Sequence, residues 1–174
     1  MAIDVARLEI VQYPDPALRT VARPVETIDD TVRAVATRMF AVMLDADGAG
    51  LAAPQVGLPW RMFVTRGDDD HPDRVLVNPE LIDLGGETAV VPEGCLSLPG
   101  VTVDIRRLMN ATLTCLDLDG RTVTLTATDL RARIWQHEMD HLNGVLIIDR
   151  MTPMDRIATR KLLKELEVAS GQRT

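Results

Sequence analysis

The amino-acid sequence predicts an α+β fold: mostly antiparallel strands packed around a central helix that carries a His-Glu-x-x-His motif, with a C-terminal helix after it. Two patterns point there. Apolar residues recur with helical period at 29–43, at 130–142 and after Pro153. Between Arg61 and Ala127 the pattern changes to short β-type runs, with Asp119-Gly120 marking a hairpin. Strands kept apart from a few helices and joined by hairpins belong to α+β rather than to alternating β/α units.

The first helix rests on Val32, Val35, Ala36, Met39, Phe40 and Met43, which share one face. Asp29, Asp30 or Thr31 can cap it, and it should end near 45–47, before Gly48 and Gly50. Met62–Thr65 and Val75–Asn78 are apolar strand pieces, divided by the acidic, proline-containing loop 67–73, in which His71 is read as exposed. Ala111–Leu118 and Arg121–Ala127 flank Asp119-Gly120, where the turn requires positive φ. Thr128 or Asp129 caps a helix from Leu130 to about Leu142, ended by Asn143-Gly144. Leu130, Ile134, His137 and His141 lie on one face of it, expected to point to the apolar interior. Val145–Ile148 reads as a short strand, and Pro153 opens a last helix to about Val168. With no repeat, linker or boundary visible, residues 1–174 are read as one domain.

Apolar residues make up 46% of the chain and charged residues 26%, a globular composition. A formal charge of −7 argues against broad nucleic-acid binding, because phosphates are repelled on average. The opening residues lack the cationic and apolar segments of a signal peptide, and no apolar run has membrane-spanning length, so a soluble, cytoplasmic protein is expected. A structural disulfide is not expected there, and each of the two cysteines needs its own explanation. Cys115 lies in an alternating strand pattern and reads as a packed small residue. Cys95, in Glu93-Gly94-Cys95-Leu96-Ser97 between Pro92 and Pro99, is the better candidate for chemistry.

The most informative run is Gln136-His137-Glu138-Met139-Asp140-His141. Residues i and i+4 of a helix share a face, so His137 and His141 can offer imidazole nitrogens to one metal ion. Glu138, beside the first ligand, is then placed to handle a proton of water at that ion. The plain alternative is two ordinary histidines on a helix.

Three segments carry a more specific signal: Gly48-Ala49-Gly50-Leu51-Ala52-Ala53-Pro54-Gln55, Glu93-Gly94-Cys95-Leu96-Ser97, and the histidine run. In order and spacing they closely resemble the peptide deformylase family, which removes the N-formyl group from nascent chains in bacteria and organelles. The resemblance runs from about Ile10 through Arg150. It implies a metal on Cys95, His137 and His141 with water as fourth ligand. Chemistry agrees, since a catalytic site wants three protein ligands and an open position, and a metal keeps a thiolate deprotonated. It implies ferrous iron, with zinc, nickel or cobalt tolerated; ligand type does not choose among them.

The same resemblance implies that Glu138 is general base and then general acid. Gln55 and the Leu96 N–H would donate to the oxyanion formed from the formyl oxygen, each worth on the order of 3 kcal/mol. An N-formyl-methionyl peptide would lie as an added strand near Ala49, Gly50 and Gly94, those glycines allowing close approach. Its methionine would enter a slot lined by Ala49, Val91, Leu130, Ile134 and His137. Ala49 stands where relatives often carry a larger aliphatic. Arg107, with Arg106 second, is implied to pair with Glu93, and the head of Arg133 must point out or find a partner. In some relatives a C-terminal helix touches the ribosome; here Arg156, Arg160, Lys161 and Lys164 form a basic face, more simply read as solvated.

Two rivals remain. A metzincin-type zinc peptidase would carry a third histidine where Ile147 stands, and a gluzincin reading with Glu165 or Glu167 leaves Cys95 unexplained. A degenerate, metal-free homologue serving as a ribosome-associated binding module should have lost a ligand or Glu138, and none is missing.

Overall fold

In the computed structural model, which describes residues 3–171, Asp29 starts helix α1 (Asp30–Asp45) by accepting the Val32 N–H at 2.9 Å. Val32, Val35, Ala36, Met39 and Met43 form its buried stripe, as the spacing predicts. Five antiparallel strands follow in simple meander order: β1 (Gly50–Ala52), β2 (Met62–Thr65), β3 (Arg74–Gly94), β4 (Thr102–Leu116) and β5 (Thr122–Thr128). Helix α2 (Asp129–Leu142), the single turn α3 (Ile147–Arg150) and α4 (Pro153–Gly171) complete the described chain.

Around β2 the sheet is covered on both faces, which is why all four residues of that strand are buried. Met62 and Val64 join the cluster under α1, whereas Phe63, one residue out of phase, packs with Ala132, Trp135, Met139 and Leu142 of α2. A strand's side chains alternate faces, so one short strand links two cores. Burying side chains the size of Phe63 and Trp135 contributes roughly 1.5–3 kcal/mol each. A third cluster, with Leu98, Val103, Ile105, Ile147 and Ile148, seats α3 and the inner side of α4. Among the described residues no helix is long and apolar enough to cross a membrane.

Besides the unexpected β1 and the earlier start of β4 at Thr102, the structure departs from the sequence expectations at three places. Val145–Ile148 is not a strand: α3 turns there because the Asp149 carboxylate accepts the Leu146 N–H at 2.8 Å, and Ile147 and Ile148 bury in the third cluster. The strand expected at 75–78 runs on to Gly94, past Pro79, Gly85-Gly86 and Pro92, with register shifts at Val77/Glu80, Leu81/Asp83 and Gly85/Thr88 absorbing the interruptions. Ile82, Leu84 and Val90 stay exposed along it, so apolar pattern and burial do not coincide. Third, the shared face of α2 is graded rather than uniformly internal. Leu130 is 68% exposed, Ile134 and His137 are half-buried, and His141 is buried. The helix thus starts at a cavity mouth and ends in the core.

Candidate metal centre

Helix α2 sets His137 and His141 one turn apart, with their Nε2 atoms 3.2 Å from each other. The turn after β3 brings in Cys95, whose Sγ lies 3.3 Å from His141 Nε2. All three donor atoms fall within 4.8 Å of one another. Two imidazole nitrogens and a sulfur facing inward at this spacing suit a cation, and the soft thiolate with two imidazoles is a donor set for a transition ion. The residues present fit the metal that the sequence implies. Burial lowers both imidazoles. His137 is nonetheless held up at about 10 by hydrogen bonds with Cys95 and Glu93 and by the Glu138 charge. His141 lies well below the ordinary value through burial and the neighbouring His137 and Arg107 charges. Cys115, by contrast, packs in the second core and burial pushes its thiol up to about 11, as expected of a filler.

Beneath the donors lies a web of charge. Glu93 Oε2 sits 3.4 Å from His137 Nδ1, a contact of the kind by which a carboxylate would orient an imidazole towards an ion. Arg107 donates to Glu93 through Nε at 2.8 Å and Nη2 at 2.9 Å, and to Asp140 through Nη1 at 2.9 Å. Arg133 donates to Glu93 Oε1 at 2.6 Å, and Arg150 donates to Asp140. Burial opposes the Glu93 charge, but the His137 and Arg107 hydrogen bonds overcome it and hold the carboxyl at about 2. Of this web the sequence indicated Arg107 and Glu93 and left Arg133 open. Asp140, Arg150 and Ser97 were missed. Arg133, one turn before His137 on the same face, carried a usable signal, and Asp140 and Ser97 stand inside the motif segments; Arg150 carried none.

Glu138 is buried beside the donors, its Oε2 has no hydrogen-bond partner among the described residues, and burial raises its carboxyl to about 7. Gly50 makes the room: a Cβ there would stand 2.5 Å from Glu138 Oε1. Gly94 is not crowded in this way; a Cβ would meet nothing closer than the Val101 carbonyl at 3.8 Å. Gln55 is buried and held at both ends of its amide. Oε1 accepts the Ala52 N–H at 2.9 Å, and Nε2 donates to Ser97 Oγ at 3.3 Å and towards Cys95 Sγ at 3.7 Å. A cavity of about 550 Å³ opens over this centre. Ala49, Gly50, Gly94, Val91, Leu130 and Ile134 line it, together with Gln55, Leu96, His137 and Glu138.

An antiparallel sheet and a two-histidine helix that converge on a Cys-His-His donor set, with a buried carboxylate alongside, define a metal-dependent hydrolase. Residues 7–157 match the polypeptide deformylase family. The peptide deformylase of Chromohalobacter salexigens is 43% identical over 163 residues, covering 93% of this chain and 94% of that one. A plant peptide deformylase crystal structure superposes with a TM-score of 0.94 at 35% identity, covering 100% of this chain and 96% of that one. The Plasmodium falciparum peptide deformylase, solved as a complex with inhibitor, gives a TM-score of 0.84 at 36% identity over 91% of this chain and 98% of that one. This chain belongs to the peptide deformylase family, metal-dependent enzymes that remove the N-formyl group from nascent peptides.

Proposed function

We propose that this chain hydrolyses the formamide of N-formyl-methionyl nascent peptides to formate and a free amine, with Cys95, His137 and His141 holding one divalent ion. The observation that carries this reading is the convergence of those three donors within 4.8 Å, beneath a cavity that Cys95, His137 and Glu138 line. Ferrous iron is the proposed ion, with zinc, nickel or cobalt as replacements, since thiolate and imidazole suit each of them. When bound, the ion supplies Lewis-acid polarisation of the attacked carbonyl and lowers the pKa of water.

Glu138 takes the proton released as water adds to the formyl carbon and hands it to the amine as the C–N bond breaks. Gln55, its amide aimed by the Ala52 N–H and Ser97, turns its hydrogen from Cys95 to the developing oxyanion, and the Leu96 N–H donates beside it. Main-chain groups of Ala49, Gly50 and Gly94 pair with the peptide as an added strand. Val91, Leu130 and Ile134 receive the methionine side chain. Residues 1–174 form one catalytic domain that works in the cytoplasm, where nascent chains are made. The exposed Arg156, Arg160, Lys161 and Lys164 of α4 support a transient contact with the ribosome.

Anaerobically purified, iron-loaded protein should release formate from formyl-Met-Ala-Ser, and metal analysis of the same sample should find one ion per chain. Cleavage of internal peptide bonds without formate would make the protein a His-Glu-x-x-His peptidase instead.

A further inference from the structure

Arg133 is 3% exposed, a guanidinium sunk between α2 and the end of β3. A buried cation is tolerated only where its donors are met. Its Nη1 donates to the Ala89 carbonyl at 3.1 Å. Its Nη2 donates to the Val91 carbonyl at 3.3 Å, the Ile105 carbonyl at 2.8 Å and Glu93 Oε1 at 2.6 Å. The residue also lines the cavity. Arg133 thus ties the helix that bears His137 and His141 directly to the strand that leads into Cys95.

We propose that Arg133 is a positioning residue for the metal centre, acting through Glu93. Arg107 reaches both oxygens of that carboxylate, whereas Arg133 takes Oε1 alone and leaves Oε2 towards His137 Nδ1. With Arg133 absent, Glu93 keeps only the Arg107 fork and the longer His137 contact, and Ala89 and Val91 of β3 lose their hydrogen bonds to α2. Both changes loosen the spacing of Cys95 against the two histidines. The fork matters more than the charge, because four acceptors at fixed directions need a planar donor. This proposal rests on the reading of Cys95, His137 and His141 as ligands.

The test compares wild type, Arg133→Met and Arg133→Lys as zinc-loaded proteins, following metal release to a chromogenic chelator alongside kcat and KM for formyl-Met-Ala-Ser. Removing an orienting partner of a metal ligand weakens metal affinity or activity by about 10–100-fold. Arg133→Met should therefore release zinc at least about tenfold faster and lose kcat while KM stays within about threefold, with Arg133→Lys rescuing only part. In a Glu93→Gln background the same substitution should add less than about twofold, because the two residues act as one unit. Three results overturn the proposal: zinc release like wild type in a folded Arg133→Met protein whatever its melting temperature, a change in KM alone, or an undiminished effect in Glu93→Gln. Should Arg133→Met fail to fold, Arg133→Lys decides, and release at the wild-type rate refutes the proposal. A wild-type protein that holds zinc yet frees no formate would sink the deformylase reading, and the release comparison would still judge Arg133.

Discussion

A single methyl group added at residue 50 would stand 2.5 Å from Glu138 Oε1, so the absence of a side chain there sets where the Glu138 carboxylate rests. The sequence offered close approach of a peptide as the use of Gly50; the neighbour that claims the space within the fold is Glu138. Glu138→Ala should keep stoichiometric metal and lose roughly 10²–10⁴ in kcat, the usual worth of general acid–base help. Gly50→Ala should move part of the way there, a kcat loss of at least about tenfold with metal retained, because the carboxylate must turn away from its pocket. Elemental analysis and steady-state kinetics on the two proteins check this. Full activity in Gly50→Ala would mean that Glu138 does not work from the position seen here. Residue-level reasoning reached Glu138 from the motif alone, since adjacency on a helix is local. It did not reach Gly50's partner, which comes from 88 positions away, the difference between 138 and 50 in the numbering.

Helix α1 and strand β3 behave differently as elements. In α1 the cap, the stripe and the stop all lie within one stretch, and the observed span Asp30–Asp45 follows the pattern. Its capping residue lies far from the chemistry: sixteen helical residues at 1.5 Å each put Asp29 about 24 Å from the end that adjoins the cavity. Asp29→Ala should therefore cost about 1 kcal/mol of stability. That loss corresponds to a fall of roughly 2–4 °C in melting temperature for a chain of this size. Its kcat/KM should match wild type. A calorimetric scan beside an activity assay checks both, and a large loss of activity at full folding would show that α1 positions the site. Strand β3 was legible only over 75–78. Beyond that, prolines and a glycine pair interrupt the pattern, and pairing with β4, not side-chain burial, keeps the segment extended. The expected strand at Val145–Ile148 failed for the converse reason: four apolar residues fit a strand or a buried turn equally well until Asp149 and the third cluster choose.

At the scale of the whole molecule, the candidate metal centre draws on three segments far apart in the chain. Cys95 follows β3, the histidines ride on α2, and Gln55 and Gly50 come from the region after α1. An ion that binds only this assembled arrangement stabilises the entire fold, by about 2.7 kcal/mol when free metal stands at a hundred times its Kd. The melting temperature should then rise by roughly 5–10 °C over that of the chelator-treated protein. Cys95→Ser should lose most of this rise and Cys115→Ser should keep it, a contrast that differential scanning fluorimetry can read. Equal rises in both variants would remove Cys95 from the centre. The sequence by itself determined the α+β class, the paired histidines with Glu138 and the turn at Gly120, whose φ is 78°. Each of these is written in spacings of a few residues, where backbone geometry alone decides which side chains meet. The motif resemblance set Cys95 beside the histidines; only the tertiary structure decided that Arg133 turns inward to Glu93 and that Asp140 and Arg150 complete the web. Those contacts depend on which distant segment arrives to share a buried charge, and no local pattern carries that choice.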